Sequence, residues 1–304
     1  MQQVTVRVPA STSNLGPGYD CLGVALRIYN RVTVACDKAA PSRHPRIVSD
    51  AAEQFFTQTR RRAFSFSCSI VERVPRCRGL GSSATVRLGI LLALNHLSGK
   101  PLDRLAVFRL CAELEGHPDN AAPAMFGGFT VVQSSTRISS RRGSAKVRAG
   151  VQRFLVAPRL YFVLLVPHLE IETTRARRIL PAKISRVAAV QNCANACGIT
   201  AAFASRDYDK LRGSFSDNLH QPFRAKLIRF LPRVIEAAEQ GGALGAFLSG
   251  SGSAIGAITL KTPEKIATFM ARAAAMPAHT IITHADNAGA QVLSVRRRPS
   301  GTDH

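Results

Sequence analysis

Tryptophan is absent from this 304-residue chain, tyrosine occurs 4 times, and aromatic residues make up 6% of it. Proteins that hold single-stranded nucleic acid stack bases on aromatic rings set among their basic residues, so this supply argues against a nucleic-acid partner. Acidic residues are scarce as well. There are 19 Asp and Glu against 41 Lys and Arg, a formal net charge of +22. Such a chain attracts polyanions in general. Yet 33 of the cations are arginines, scattered apart from short clusters at Arg60-Arg61-Arg62, Arg141-Arg142 and Arg296-Arg297-Arg298. Scattered charge reads as a solvated surface. The 7 cysteines (21, 36, 68, 77, 111, 193 and 197) are odd in number and include no CxxC pair. That pattern suggests neither a disulfide framework nor a zinc site, and it fits a reducing, cytoplasmic compartment. Cys193 and Cys197 share one helical face and read as small buried apolar residues. No hydrophobic signal core follows Met1, which argues against secretion. The longest uncharged stretch, Gly241 to Leu260, is interrupted by glycines and serines. It reads as a strand, a tight Gly-Ser turn and a second strand or helix start, not as a membrane span.

Hydrophobic residues make up 46% and charged residues 20%, the balance of a folded globular chain. Val4–Val8 alternates like a strand, a Pro/Ser/Thr/Asn/Gly-rich loop runs from Pro9 to Tyr19, and extended runs follow at Val24–Ile28 and Val32–Ala35. Lys38 to Pro45 reads as a polar turn region. Asp50, with Glu53 three residues on, predicts a capped helix start, and Phe64–Val74 a strand. Ser83–Leu97 has the length and apolar content of a buried helix stopped by Gly99 and Pro101. Asp103 caps the next helix, which places Leu105, Phe108, Cys111 and Ala112 on one face and ends at Gly116. Phe129–Gln133 is strand-like, and Ser134–Gly150 is a polar connector between two domains, 1–150 and 151–304. The second half opens with a buried strand, Leu160–Val166. Helical segments follow at Thr173–Leu180, Val187–Ser205, Tyr208–Phe215, Phe223–Ala238 and Pro263–Ala275, and a closing strand at Val292–Val295. Regular β-α-β spacing is missing, so the fold class is α+β.

The segment carrying most chemistry is Pro75-Arg76-Cys77-Arg78-Gly79-Leu80-Gly81-Ser82-Ser83-Ala84-Thr85, a glycine-serine loop feeding a helix. Free amides and the positive dipole end favour phosphate there, and the hydroxyls offer hydrogen bonds or a magnesium ligand. The blander alternative is a serine N-cap after a flexible turn. The Gly-x-x-x-x-Gly-Lys-Ser/Thr signature is absent, which excludes the common P-loop class.

Pro75 to Ala84 resembles the hallmark loop of the GHMP kinases, Pro-x-x-x-Gly-Leu-Gly-Ser-Ser-Ala. Two further blocks resemble that family in order and spacing: Ser13-Asn14-Leu15-Gly16-Pro17-Gly18-Tyr19-Asp20 and Leu248-Ser249-Gly250-Ser251-Gly252-Ser253. Residues 113 to 128, 176 to 181, 220 to 224 and 289 to 292 resemble blocks of the branch that acts on homoserine. The resemblance covers essentially the whole chain. It implies an N-terminal α+β domain carrying the phosphate loop, a ferredoxin-like C-terminal α+β domain, ATP and acceptor in the cleft between them, and a homodimer. It implies transfer of the ATP γ-phosphoryl to the homoserine hydroxyl on the route to threonine.

By the same resemblance Pro75 to Thr85 holds the ATP phosphates, with Ser83 and Glu113 as magnesium ligands. Glu113 has an ordinary alternative as a solvated partner of Arg109. Asn14, Asp20, His117 and Asn120 are assigned to the amino-acid end and the reacting hydroxyl, and Arg177 and Arg224 to the carboxylate, which a guanidinium fork binds bidentately. Asp20 also suits a turn, and His117 before Pro118 suits loop packing. Related kinases place an aspartate base where Asn120 aligns, and an amide takes no proton, so deprotonation by solvent or by the phosphate is expected, with Asp119 the weaker candidate. Thr85, Arg87 and Ser253 depart from the family pattern. Arg87 either reaches the nucleotide or snorkels to the surface. The alternatives are a GHMP kinase for a mevalonate-like acceptor, and a basic nucleic-acid binder on a kinase-like fold.

Overall fold

The computed structural model describes residues 2–37, 44–135 and 148–297. In chain order its elements are β1 (Gln2–Ser13), β2 (Leu22–Cys36), α1 (Arg46–Thr59), β3 (Phe66–Val71), α2 (Ser82–Leu97), α3 (Arg104–Glu115), α4 (Ala121–Phe126), β4 (Phe129–Ser135) and β5 (Arg148–Phe154). There follow β6 (Tyr161–Pro167), α5 (Thr173–Arg178), α6 (Arg186–Ser205), α7 (Gln221–Arg224), α8 (Leu231–Gln240), β7 (Gly245–Leu248), β8 (Ile255–Thr259), α9 (Pro263–Ala274), β9 (Ala278–His284) and β10 (Gln291–Arg297). Two antiparallel sheets result. One runs β10-β1-β2-β4-β5 with β3 also on β2, and the other runs β7-β8-β6-β9.

Three buried clusters hold these layers together. Val4, Val6 and Val8 of β1 face the first helical layer, where Phe55, Leu88, Leu91 and Phe108 pack against them. The register of β1 against β2 shifts between Pro9 and Ala10. Beyond that shift Ala10 joins the second cluster, in which Leu22, Phe129, Phe162, Leu164, Phe203 and Phe247 fill the space between the two sheets. The bulge thus re-aims one strand from one core to another, as an extra residue in a ladder does. β6 is buried on both faces: Phe162, Leu164 and Val166 enter that shared interior, while Val163 and Leu165 meet α8 and α9 in a third cluster. Period-two alternation with both sides covered explains its continuous apolar run.

Several sequence expectations change. Pro9 to Ser13 is the end of β1, because Pro9 sits at the bulge and Ala10 to Ser13 pair with Leu26 to Gly23. α1 begins at Arg46 behind Pro45, and Asp50, one turn in, pairs with Arg46 instead of capping. On α3, Asp103 does accept from the Ala106 amide, but Leu105 is 36% exposed and falls off the buried face. The segment expected as one helix over Phe223–Ala238 is split into α7 and α8, with Pro232 in the first turn of α8. Tyr208–Leu211 is a single 3-10 turn. Cys193 and Cys197 are exposed on α6, contrary to their reading as buried residues, since Asn192, Ile199, Ala202 and Phe203 form the buried face. α6 is long and apolar enough to cross a membrane by length and composition, yet Asn192 donates to the Pro17 carbonyl and the Asp217 carboxylate, and Phe203 stacks on Phe129. Those contacts make it a packed helix of this fold. Gly241 to Leu260 forms the strand, turn and strand read from its glycines. Arg141-Arg142, Arg298, Lys38 to Arg43 and the middle of the Ser134–Gly150 connector lie outside the described residues.

Candidate active site

The phosphate-type loop rests on close contacts that only glycine allows. Gly79 and Gly81 have φ of +72° and +68°. A Cβ on Gly79 would lie 2.0 Å from the Ser249 carbonyl oxygen, and one on Gly81 would lie 2.2 Å from Ser11 Oγ. Ser249 Oγ donates to the Gly79 carbonyl at 2.7 Å, Ala254 N to Arg78 O at 3.0 Å, and Ser11 N to Leu80 O at 3.2 Å. The loop is therefore clamped between the end of β1 and the 249–254 turn. Helical bonding starts with Thr85 N to Gly81 O, 3.0 Å. The amides of Ser82, Ser83 and Ala84 thus stand ahead of the first intrahelical bond at the positive end of a 16-residue helix, the ordinary setting for an anion.

Three of the departures acquire structural partners. Thr85 is buried, donates to the Ser82 carbonyl and accepts from Asn30 Nδ2 at 2.8 Å, so it braces the loop from below. Ser253 Oγ donates to the Leu169 carbonyl. Arg87 stands outside the cleft lining and is half-buried, with its Nη1 donating to Glu115 Oε1. Ser83 Oγ donates to the other oxygen of the same carboxylate at 2.7 Å. The carboxylate facing Ser83 is that of Glu115, and Glu113 lies outside the cleft lining, exposed, with Gln54 as its hydrogen-bond donor. Glu113 and Ser83 are therefore not brought together.

The loop opens into a cleft of about 620 Å³ whose walls include Asn14, Asp20, His117, Asn120, Arg177 and Arg224, all six residues expected at the acceptor end. Asn120 is the hub of its floor. Its Oδ1 accepts from Ser11 Oγ at 2.9 Å and its Nδ2 donates to Ser13 Oγ at 3.1 Å. Asn14, at φ +70°, donates to the Gly250 carbonyl and accepts from the Asp20 amide, joining the two halves of the cleft. Asp20 and Arg177 face each other as a two-pronged pair at 2.6 and 3.0 Å. Tyr19 lies beside both guanidiniums, 5.5 Å from Arg177 and 5.3 Å from Arg224.

Two groups with little signal in the sequence shape the electrostatics. Asp119 is buried and bonded to His117 Nδ1 at 2.6 Å. Burial opposes both charges, but their hydrogen bond and mutual attraction outweigh it, so His117 is raised and Asp119 lowered from their usual values. His220 is fully buried, and burial pulls it down to about 4. A neutral ring has one N–H, and Nε2, 2.8 Å from the Gly16 carbonyl, must carry it. Nδ1 is then an acceptor, and Arg224 Nη1 donates to it at 3.2 Å. Arg224 also donates to the Gly250 and Ala176 carbonyls, which fixes a guanidinium that is only 2% exposed.

The sequence matches the GHMP kinases N terminal domain over residues 46–128 and the GHMP kinases C terminal domain over 199–275. A homoserine kinase of Caldicellulosiruptor bescii is 33% identical over 96% of this chain and 98% of its own length. The chain belongs to the homoserine kinase family. Within that family, a homoserine kinase of Carboxydothermus hydrogenoformans is 35% identical over 83% of this chain and 84% of its own. The crystal structure of homoserine kinase from Cytophaga hutchinsonii superposes with a TM-score of 0.83 at 25% identity, covering 96% and 97% of the two chains. The two-domain GHMP kinase fold implied by the phosphate loop is thereby established for this homoserine kinase family member.

Proposed function

We infer that this chain transfers the γ-phosphoryl group of ATP to the hydroxyl of L-homoserine, giving O-phospho-L-homoserine for threonine biosynthesis. The observation carrying this reading is the placement of Arg177 and Arg224 across one cleft from the Gly79–Ser83 loop. A carboxylate-bearing acceptor uses two guanidiniums, and an acceptor such as mevalonate or a sugar offers no ammonium for Asp20. The zwitterion enters where Asp20 and Arg177 now pair, ammonium towards the acid and carboxylate towards the arginines. Asn120, held by Ser11 and Ser13, orients the hydroxyl. Apolar side chains of Pro45, Ile47, Ile70 and Val86 line the end of the cleft suited to adenine, and the loop from Pro75 to Thr85 cradles the phosphates.

In the transfer an oxygen–phosphorus bond forms at the acceptor, the bond from the γ-phosphorus to the bridging oxygen breaks, and the hydroxyl proton leaves. Asn120 takes no proton, and Asp119 is engaged by His117, so the proton goes to solvent or phosphate while positioning and charge supply the catalysis. The hydroxyl of Ser83 and the carboxylate of Glu115 are hard oxygen donors side by side at the phosphate end, which suits magnesium. There the two residues would hold magnesium, which would supply positive charge to the phosphates.

The working division falls near residue 150, with the phosphate loop supplied by 1–150 and Arg177 and Arg224 by 151–304. All seven cysteines are free thiols, in keeping with the cytoplasm, and a homodimer is the proposed assembly. The test is ADP release from Mg-ATP with homoserine, mevalonate, galactose or no acceptor. Turnover with homoserine alone is the expected result, and equal turnover with mevalonate would overturn the acceptor assignment.

A further inference from the structure

Arg87 and Glu115 form an ion pair in which the side chains are 19% and 5% exposed. Ser83 and Arg87 stand one turn apart on α2, so a single helix face offers a hydroxyl to one oxygen of Glu115 and a guanidinium to the other. Glu115 is the last residue of α3, where the backbone dipole is negative and a further negative charge is unfavourable. Arg87 offsets that charge. Its own Nε is buried without a hydrogen-bond partner, so this guanidinium is not placed to satisfy its donors. Among the described residues no three His, Cys, Asp or Glu side chains gather round one point that a metal ion could occupy. Ser83 and a Glu115 neutralised by Arg87 therefore present little net charge to a bare dication.

We propose that Arg87 is a positioning residue that cancels the charge of Glu115 and holds its other oxygen against the Ser83 hydroxyl, so that the divalent cation is taken up with the nucleotide and not alone. This rests on the kinase reading above. The test measures Mn²⁺ binding by the magnetic resonance of free Mn²⁺, with and without a non-hydrolysable ATP analogue, in Arg87→Met, Arg87→Gln and Arg87→Lys. Both neutral variants should bind Mn²⁺ in the absence of nucleotide roughly tenfold more tightly, the effect of removing one nearby unit charge. Their kcat should fall by about tenfold to a hundredfold as Glu115 loses its orientation, with KM for homoserine unchanged. Arg87→Lys, which keeps the charge, should bind nucleotide-free Mn²⁺ as the parent does. A merely structural role would weaken metal binding and activity together. Unchanged or weaker nucleotide-free Mn²⁺ binding in the neutral variants overturns the proposal, as does a gain that persists when Glu115→Gln is added. If the parent protein phosphorylates no acceptor, the kinase reading falls, while the Mn²⁺ comparison still decides the role of Arg87.

Discussion

Glu113 and Glu115 are two positions apart on one helix, and their surroundings are opposite. Phe108, Cys111 and Ala112 form the buried face of α3, and the next position at the same spacing is 115. Glu115 therefore points inward with its backbone carried by the core, while Glu113 points to solvent. That stripe is legible in the sequence, and it favours Glu115 over the Glu113 that the family resemblance implies. Glu115→Ala should lower kcat by on the order of a hundredfold, whereas exposed Glu113→Ala should stay within about 0.5 kcal/mol of the parent in stability and keep its turnover; steady-state kinetics on both variants decides this. His220 carries no sequence signal beyond its place in the 220 to 224 block, because no spacing rule shows that a histidine will be buried against a carbonyl. Its pKa of about 4 lies below the 6.5 it has when exposed, so between those values the unfolded chain binds a proton that the native ring does not. Stability should then fall as pH drops from 6.5 towards 4, by on the order of 3 kcal/mol. Urea melts across that range should show the slope in the parent and a flatter one in His220→Gln.

At the scale of elements, the phosphate loop and α2 were fully legible, since glycine spacing, serines and an apolar run all agreed. β9 was not, because Ala278–His284 shows no strand pattern of burial; it is recruited as the edge partner of β6. The start of β5 falls in the stretch read as connector, Ser134–Gly150, where Arg148 and Gly150 mask a strand that pairs with β4. Gly81 makes the clearest prediction here. Its φ of +68° and the 2.2 Å approach of Ser11 Oγ leave no room for a methyl group. Gly81→Ala should destabilise the fold by about 1–3 kcal/mol and, by displacing Ser11 from Asn120, weaken ATP and homoserine binding together. Thermal melts and the two KM values measure both effects; a selective loss of ATP binding would contradict the shared-floor geometry.

The whole molecule carries a net charge of +22, and the cleft contributes none of it, since Arg76, Arg177 and Arg224 in its lining are outnumbered by Asp20, Glu72, Glu115, Asp119 and Glu172. Its arrangement as two sheets sharing one interior was not legible, because the bulge at Pro9 that sends β1 from one core into the other leaves no periodic trace. The exposed side of α6 bears on assembly. Val187, Val190, Ala194, Cys197, Ala201 and Ala204 recur at alternating three- and four-residue steps, and Val187 and Val190 are 75% and 63% exposed. That spacing is the seam of a two-helix contact, so the proposed homodimer should use it. Val190→Glu should halve the mass seen by light scattering while leaving the fold intact, and an unchanged dimer would place the contact elsewhere.

β10 closes the first sheet by pairing with β1, although nearly the whole chain separates them in sequence. On the ribosome the amino-terminal strand emerges early and waits with one edge bare until residues 291–297 have left the exit tunnel. An unpaired strand edge invites pairing with other nascent chains. The order of synthesis therefore leaves one edge of β1 uncovered until β10 is made, and it is during this interval that the edge is open to intermolecular pairing.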